Sequence, residues 1–280
     1  MLNVIFWILA PIGCLVTYLA VPTLSPWWIL PIILGNYIAL VVLLFVVITL
    51  IWFFLPKKGT VKKPIPLCRF MIWFVMDWLM NAFGVRTTWK GQDRLPAEPC
   101  VIVSNHLSNF DPIVLLSMTR KRRIVYISKE SNFRLPLAGA YIRGAGFLPI
   151  DRENALRAMR TLGDAGEKMK AYGVDVGIYP EGTRSKTGKL LRFKKGAFVL
   201  AQRSGAPIVV MVTRGSEKIG KNLKRLRRTK VEMEVLEVIE KERVTSMSVD
   251  ELTLYTRNLI AEALGQELLS VAPKDEQKSE

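Results

Sequence analysis

The chain begins with a long apolar region, because residues 1–56 contain no Asp, Glu, Lys, Arg or His. A hydrocarbon core of about 30 Å is crossed by about 20 apolar residues of helix. Residues 2–21 and 27–55 each meet that length, and a short turn, Pro22–Pro26, separates them. A cleaved signal peptide is disfavoured because no basic segment precedes the first apolar run. The pattern predicts a transmembrane helical hairpin over residues 1–56.

Positive charge begins directly after the hairpin. The first charged residues are Lys57, Lys58, Lys62 and Lys63. The positive-inside rule places them, and with them the remainder of the chain, in the cytoplasm. Residues 67–85 are again apolar, but Asp77 lies near their middle and Pro64 and Pro66 precede them. This favours a basic linker and an interfacial helix over residues 57–89. A third membrane span and an ordinary core helix remain open alternatives.

Strand and helix patterns alternate from about residue 90 onward. Apolar or alternating segments predict strands at residues 100–103, 123–128, 174–178, 207–213 and 231–235. Amphipathic segments predict helices at residues 112–119, 154–172 and 196–204, and a capping box at Ser248 and Glu251 opens a last helix that ends near Leu269. We therefore expect one α/β domain over residues 90–271, a mixed β-sheet flanked by helices.

Two further expectations concern the last part of the chain. Glu232 and Glu234 alternate with apolar residues, which predicts an edge or half-exposed strand there. The polar tail at residues 272–280 is expected to be disordered.

The net charge of +16 lies entirely in residues 57–280, with clusters at residues 120–123 and 218–230. Nucleic acid and anionic lipid headgroups both suit such clusters. With a hairpin in the bilayer, anionic membrane lipids are the favoured partner and no nucleic acid is expected; a solvated basic surface is the plain alternative. Three cysteines without pairing or metal-ligand spacing indicate a reducing compartment. We expect neither a metal nor another cofactor.

The single histidine of the chain, His106, is followed five residues later by Asp111. Imidazole takes and returns a proton near neutral pH, and a carboxylate on its other nitrogen fixes the tautomer. On one continuous helix the two side chains would point apart. A strand at residues 101–103, a loop and a helix opened by Asp111 as N-cap would bring them together. The plain alternative is that Asp111 only caps the helix and His106 is an ordinary loop residue.

Two arginines follow apolar runs further along the chain. Arg152 precedes a predicted helix, and Arg184 lies in the loop Tyr179–Ser185 after a predicted strand. Ligands collect at loops that leave the carboxyl ends of parallel strands, and Arg is well shaped for a phosphate. Gly182 permits close approach of the backbone to a ligand. Either arginine could instead be a solvated surface charge. The apolar segment Pro207–Val212 is interpreted as a strand of the sheet that does not bind ligand.

These segments, in this order, resemble the glycerolipid acyltransferase family that includes 1-acylglycerol-3-phosphate acyltransferases. The resemblance covers roughly residues 95–212. The matching segments are Asn105 to Asp111, Phe147 to Arg152, Tyr179 to Ser185, Ser128 to Glu130 and Phe193 to Gly196. Pro149 and Tyr179 replace residues more usual in the family, which are mild departures.

The resemblance implies an acyltransferase catalytic domain in phospholipid biosynthesis. Its reaction would transfer a fatty acyl group from acyl-CoA or an acyl carrier protein to the 2-hydroxyl of lysophosphatidic acid, giving phosphatidic acid. His106 would act as general base and Asp111 would orient it. Because no Ser or Cys lies in a nucleophile elbow, direct transfer without an acyl-enzyme is expected. The catalytic domain would lie on the cytoplasmic face of the cell membrane.

The phosphate of the acceptor would be held by residues of two loops. These candidates are Arg152, Glu181, Gly182, Thr183 and Arg184. Glu181 is expected to order its loop and the arginines rather than to move a proton. Asn105, Lys129 and Lys194 are supporting candidates, and Lys129 or a backbone amide would stabilise the oxyanion.

Other functions remain open at this point. A family member of the same kind could use glycerol-3-phosphate or another lysolipid as acceptor. A membrane-tethered binding protein without catalysis is a second class, although it would have no need for an oriented imidazole. A P-loop phosphotransferase is disfavoured because no Gly-x4-Gly-Lys-Ser/Thr segment occurs.

Overall fold

The computed structural model describes residues 2–21, 23, 25–185 and 187–270. Its N-terminal part is a pair of packed helices, α1 (Leu2–Ala20) and α2 (Ile29–Phe53). Within the described residues one helix, residues 26–53, is long and apolar enough to cross a membrane, and residues 8–20 form a shorter apolar helix. The tail expected to be disordered, 272–280, lies outside the described residues.

Helix α2 is also attached to the remainder of the protein. The Tyr141 hydroxyl donates a 2.7 Å hydrogen bond to the Ile48 carbonyl. Leu44, Ile51 and Trp52 pack against a buried apolar cluster of the domain. The last two turns of α2 are therefore held by the domain, while the rest of the helix is largely exposed.

Helix α3 (Pro66–Ala82) lies between the hairpin and the domain and contacts α1. Cys68, Met71 and Ile72 of this helix are buried, whereas Leu67 and Phe70 are exposed. One side of α3 is thus docked on the domain. The segment before it is fixed as well, because the buried Lys168 ammonium donates to the carbonyls of Val61 and, at 3.1 Å, Lys62.

Seven strands and seven further helices complete the described chain. The strands are β1 (Val85–Lys90), β2 (Val101–Ser104), β3 (Ile124–Lys129), β4 (Leu148–Ile150), β5 (Asp175–Ile178), β6 (Ile208–Arg214) and β7 (Thr229–Ile239). The helices are α4 (Asp111–Met118), α5 (Ala138–Gly144), α6 (Ala155–Tyr172), α7 (Gly196–Ser204), α8 (Ile219–Lys224), α9 (Lys241–Ser246) and α10 (Val249–Ala263).

The strands form one sheet in the order β1-β7-β6-β2-β5-β3-β4. All neighbours are parallel except β6 and β7, which are antiparallel. Alternate residues of β2 point to opposite faces: Ile102 packs in the cluster of α3 and α4, while Val101 and Val103 pack in the cluster of α6, α7 and α10. The predicted mixed sheet flanked by helices is confirmed.

Three features of the fold differ from the sequence expectation. The sheet begins before residue 90, because β1 pairs along its length with β7. Strand β7 is consequently internal rather than an edge strand, while the predicted half-exposed pattern at Glu232 and Glu234 is confirmed. Both carboxylates accept hydrogen bonds from Arg214 of β6. Helix α10 ends at Ala263 rather than near Leu269, since Gly265 adopts a left-handed conformation (φ 63°) that terminates it.

At the amino-terminal edge of the sheet an ion pair is partly buried. Arg122 donates to both oxygens of Asp175, each at 2.6 Å, and Asp175 also accepts from the Cys100 amide at 3.1 Å. The Asp175 side chain is only 4% exposed and that of Arg122 is 20% exposed. This pair joins the starts of β2, β3 and β5.

Substitution Asp175→Ala should therefore lower the free energy of unfolding by about 3 kcal/mol, because it leaves a half-buried guanidinium and a buried amide unpaired. Denaturant unfolding of the detergent-solubilised chain measures this loss. The matched control is Glu130→Ala, which removes an exposed pair with Arg134 and should cost about 0.5 kcal/mol or less. Equal losses of unfolding free energy in the two variants would contradict a stabilising role for the Arg122–Asp175 pair.

Candidate active site

The site lies where strands β2, β5 and β6 end. Strand β2 ends at Ser104, the next six residues form a loop, and α4 begins at Asp111. Because β2, β5 and β6 run parallel, the loops that follow them meet at one edge of the sheet. This arrangement brings His106 and Asp111 together, as the strand–loop–helix reading predicted.

The Asp111 carboxylate is surrounded by hydrogen-bond donors. Its Oδ2 accepts from His106 Nδ1, from the Leu107 amide and from the Ser108 amide, each at 2.8 Å. Its Oδ1 accepts from the Ser216 hydroxyl. Its side chain is 1% exposed, so these donors replace water. Asp111 is the first residue of α4 rather than its N-cap, which is Phe110.

This contact fixes the imidazole. A carboxylate at Nδ1 favours the tautomer with the proton on Nδ1, which leaves Nε2 with a lone pair. Among the described residues Nε2 has no hydrogen-bond partner, and the side chain is 13% exposed. The ring stacks on Tyr179 at 4.3 Å between centroids, and Tyr179 stacks in turn on Tyr126. Asp111 and Tyr179 together restrict rotation of the ring.

Glu181 holds the backbone of the histidine loop. Its carboxylate accepts from the His106 amide at 2.6 Å and from the Leu191 amide at 3.0 Å. Burial raises the pKa of Glu181, and the two amides act in the opposite direction by stabilising the charged form. Both carboxylate oxygens are therefore occupied by amides. Glu181 thus positions His106 and Leu191, as expected of a residue that orders its loop, and its contact with phosphate stays a prediction.

Asn105 also supports the structure of the histidine loop. Its side-chain amide donates to the Thr213 carbonyl at 2.9 Å and its side-chain oxygen accepts from the Thr213 amide at 2.8 Å. The side chain thus extends the pairing of β2 with β6 by one step beyond Ser104. Because Asn105 is fully buried, it supports the loop rather than a ligand.

Two cavities flank the loop that follows β5. The first, about 320 Å³, is mainly apolar, and Arg152, Gly182 and Lys194 line it beside Ile127, Ile150, Met159, Leu162 and Ile178. The second, about 750 Å³, is wider and charged, and Thr183 and Arg184 line it with Leu107, Arg214, Glu217 and Lys218. Leu107, next to His106, lies on the wall of the charged cavity; Tyr179, which stacks on His106, lies on the wall of the apolar one.

Arg152 and Arg184, which the sequence predicts to hold one phosphate together, line different cavities. The chain turns at Gly182, which has a left-handed φ of 68°, so Gly182 and Thr183 face different cavities. A Cβ on Gly182 would lie 2.9 Å from the Lys194 side chain, which packs over it. Lys129 is exposed at the end of β3 and lines neither cavity, so the structure gives it no contact with His106.

Sequence reasoning missed three residues that support this site. Ser216 donates to Asp111, and Gly215 before it cannot carry a Cβ, which would lie 2.5 Å from the Lys230 carbonyl. Their position directly after a buried strand was the available signal. Gln266 was missed because it lies after the last helix, where no motif marks it.

Gln266 fastens the end of the chain to the loop beside Glu181. Its side-chain oxygen accepts from the Leu190 amide at 2.7 Å, and its side-chain nitrogen donates to the Gly188 carbonyl at 2.9 Å. The adjacent Leu191 amide donates to Glu181, which in turn holds His106. Residues 264–269 thus stabilise the loop that stabilises the histidine.

Substitution Gln266→Ala should expose the Leu190 and Leu191 amides to solvent exchange. We expect exchange in the segment 187–192 to become at least about tenfold faster, because local opening no longer breaks the two Gln266 bonds. Hydrogen–deuterium exchange with mass spectrometry measures this rate. In the control Gln202→Ala, which removes bonds to Val244 and Met247, the segment should be unchanged; acceleration in both variants would contradict a local clamp.

Comparison with known proteins identifies the family of the chain. The acyltransferase family model matches residues 86–214, a range that includes His106, Asp111 and Glu181. The chain is 38% identical over 143 residues to human 1-acyl-sn-glycerol-3-phosphate acyltransferase beta, covering 49% of this chain and 51% of that protein. It is 30% identical over 176 residues to the Escherichia coli 1-acyl-sn-glycerol-3-phosphate acyltransferase, covering 62% of this chain and 71% of the relative.

A solved structure shares the fold. The crystal structure of the 1-acyl-sn-glycerophosphate (LPA) acyltransferase PlsC from Thermotoga maritima superposes with a TM-score of 0.57 and 26% identity, covering 72% of this chain and 83% of that one. Fold, site and matches define an acyltransferase-type α/β protein. The chain belongs to the 1-acylglycerol-3-phosphate acyltransferase family. It spans about half the length of the human relative and 39% of a Brassica napus relative.

Proposed function

We propose that this protein is a membrane-bound enzyme that transfers a fatty acyl group from a thioester to the 2-hydroxyl of 1-acylglycerol-3-phosphate, giving phosphatidic acid. The observation that carries the proposal is the His106–Asp111 pair, at 2.8 Å, whose Nε2 has no hydrogen-bond partner among the described residues. The neighbouring Leu107 lines the charged cavity, and Tyr179, on which the ring stacks, lines the apolar one. Membership of the family supplies the class of reaction and of substrate.

The proposed chemistry is general base catalysis. Nε2 of His106 removes the proton from the acceptor hydroxyl as its oxygen attacks the thioester carbonyl carbon. The carbon–sulfur bond then breaks, and the thiolate leaves with the proton held on Nε2. Asp111 stabilises the imidazolium that forms between these steps. Among the described residues no Ser or Cys side chain bonds to Nε2, which supports direct transfer without an acyl-enzyme.

The two cavities suit different parts of the substrates. We place the acceptor phosphate in the basic cavity, where Arg184 and Lys218 supply charge; the Arg214 guanidinium there is paired with Glu232 and Glu234. The apolar cavity suits a fatty acyl chain. Arg152 and Lys194 on its wall are the alternative phosphate site.

The hairpin supports attachment to a bilayer that holds acceptor and product. Helix α2 is apolar throughout and most of its surface is exposed, which in a soluble protein would be unfavourable. The four lysines that follow it support a cytoplasmic location of the catalytic domain. The acyl donor, acyl-CoA or an acyl carrier protein, would then arrive from the cytosol.

Substitution His106→Ala should reduce kcat by about 10²–10⁴-fold, the usual contribution of a general base. Transfer of a radiolabelled acyl group from acyl-CoA or acyl carrier protein to lysophosphatidate, by the purified chain in micelles, measures it. The exposed Glu242→Ala serves as control and should retain full activity.

Each of three results would contradict the proposal. Unchanged turnover in His106→Ala would exclude the mechanism. Wild-type protein that acylates glycerol-3-phosphate alone would exclude the acceptor, and protein that acylates neither acceptor with either donor would favour a non-catalytic binding protein.

Substitution Arg184→Ala should raise KM for lysophosphatidate by about 10–100-fold with a smaller change in kcat, because a charge-assisted phosphate contact contributes about 1.5–3 kcal/mol. Arg152→Ala is the matched variant from the other cavity and should change KM much less. Steady-state kinetics measures KM for lysophosphatidate in both variants. Monoacylglycerol, an acceptor that lacks the phosphate, shows whether the change in KM depends on the phosphate. The opposite ranking would move the phosphate to the apolar cavity.

A further inference from the structure

A third cavity lies at the opposite edge of the sheet from His106. It occupies about 160 Å³ between α3 and α4, and three arginines line it: Arg69, Arg120 and Arg122. Its apolar wall is formed by Phe70, Ile72, Trp73, Leu116, Ile124 and Phe147. Ile124 is the first residue of β3, whereas His106 follows the end of β2, so the two sites are separated by the length of the parallel strands.

Among the arginines of this cavity, Arg69 is the one for which the described residues provide no carboxylate partner. Arg122 is paired with Asp175, and the Arg120 guanidinium lies 4.7 Å from the centre of the Trp73 ring. Arg69 is half-buried, and among the described residues no carboxylate lies within salt-bridge distance of it. Burial and the charge of Arg123 both lower the pKa of Arg69. Asp and Glu are absent from the residues that line the cavity. An anion in the cavity would pair with Arg69.

Exposed apolar side chains border the cavity. Phe70 lines the cavity, is 48% exposed and stacks on Phe74, and Leu67 one turn away is 46% exposed. Helix α3, which carries them, contacts α1 of the apolar hairpin. The arginines are thus adjacent to an exposed apolar strip that continues toward the hairpin.

We propose that the cavity between α3 and α4 binds the phosphate of an anionic bilayer phospholipid through Arg69, with the lipid chains lying along Leu67 and Phe70 toward the hairpin. The proposal rests on the membrane attachment proposed above and is independent of the acyl-transfer reaction. The lipid is a bound component at this site, separate from acceptor and product at His106. It would fix α3, and with it the catalytic domain, at an anionic leaflet.

The test is native mass spectrometry of the full chain released from micelles that contain equal amounts of phosphatidylglycerol and phosphatidylcholine. Wild type should retain phosphatidylglycerol in preference, and Arg69→Gln should reduce that preference about tenfold. Arg69→Lys, which keeps the charge, should restore part of it. The exposed Arg160→Gln, on the other face of the sheet, should behave as wild type.

Further measurements distinguish this site from the active site and from a site for free phosphate. His106→Ala should retain phosphatidylglycerol like wild type, so loss of acyl transfer and loss of lipid binding are read independently. Equal phosphatidylglycerol retention by Arg69→Gln and wild type would overturn the proposal. Complete displacement of the lipid by millimolar inorganic phosphate would overturn the lipid assignment in favour of a free-phosphate site.

Discussion

The site depends on one buried carboxylate that has all its hydrogen bonds made inside the protein. A charge as buried as that of Asp111 is tolerated only when donors replace water. Those donors are the imidazole, two loop amides and the Ser216 hydroxyl, contributed by the β2–α4 loop and by the turn after β6. The same contacts that stabilise the charge therefore shape the loop and orient the ring. Glu181, in the loop after β5, is a buried carboxylate that is stabilised in the same way, with the His106 and Leu191 amides as donors.

The rest of the fold serves to bring these loops to one edge. Parallel pairing of β2 with β5 and β6 fixes their carboxyl ends side by side, and Asn105 extends that pairing to the residue before His106. The end of the chain adds a second restraint through Gln266. Helices α2 and α3 pack against the same core, so the packing of the domain fixes how the apolar hairpin is attached to it.

The sequence predicted the features that depend on local pattern. The His106–Asp111 pair follows from a strand, loop and helix in immediate succession, and the mixed sheet follows from their alternation. Features set by long-range pairing were missed: β1 has a polar, exposed pattern of its own and is a strand because β7 pairs with it. The separation of Arg152 from Arg184 depends on the left-handed turn at Gly182, which no spacing reveals. The amide partners of Glu181 are distant in sequence, so no local pattern identifies them.

The proposed mechanism requires that Asp111 hold the His106 proton on Nδ1 and leave Nε2 free. Because His106 is the single histidine of the chain, incorporation of ¹⁵N-labelled histidine gives one pair of imidazole resonances. Nitrogen NMR of the chain in micelles at about pH 8.5, above the ordinary imidazole pKa of about 6.5, reads the tautomer directly. We expect a protonated Nδ1 and a bare Nε2 in the wild type. The preference for this tautomer should be lost in Asp111→Ala. A proton on Nε2 in the wild type would contradict the mechanism.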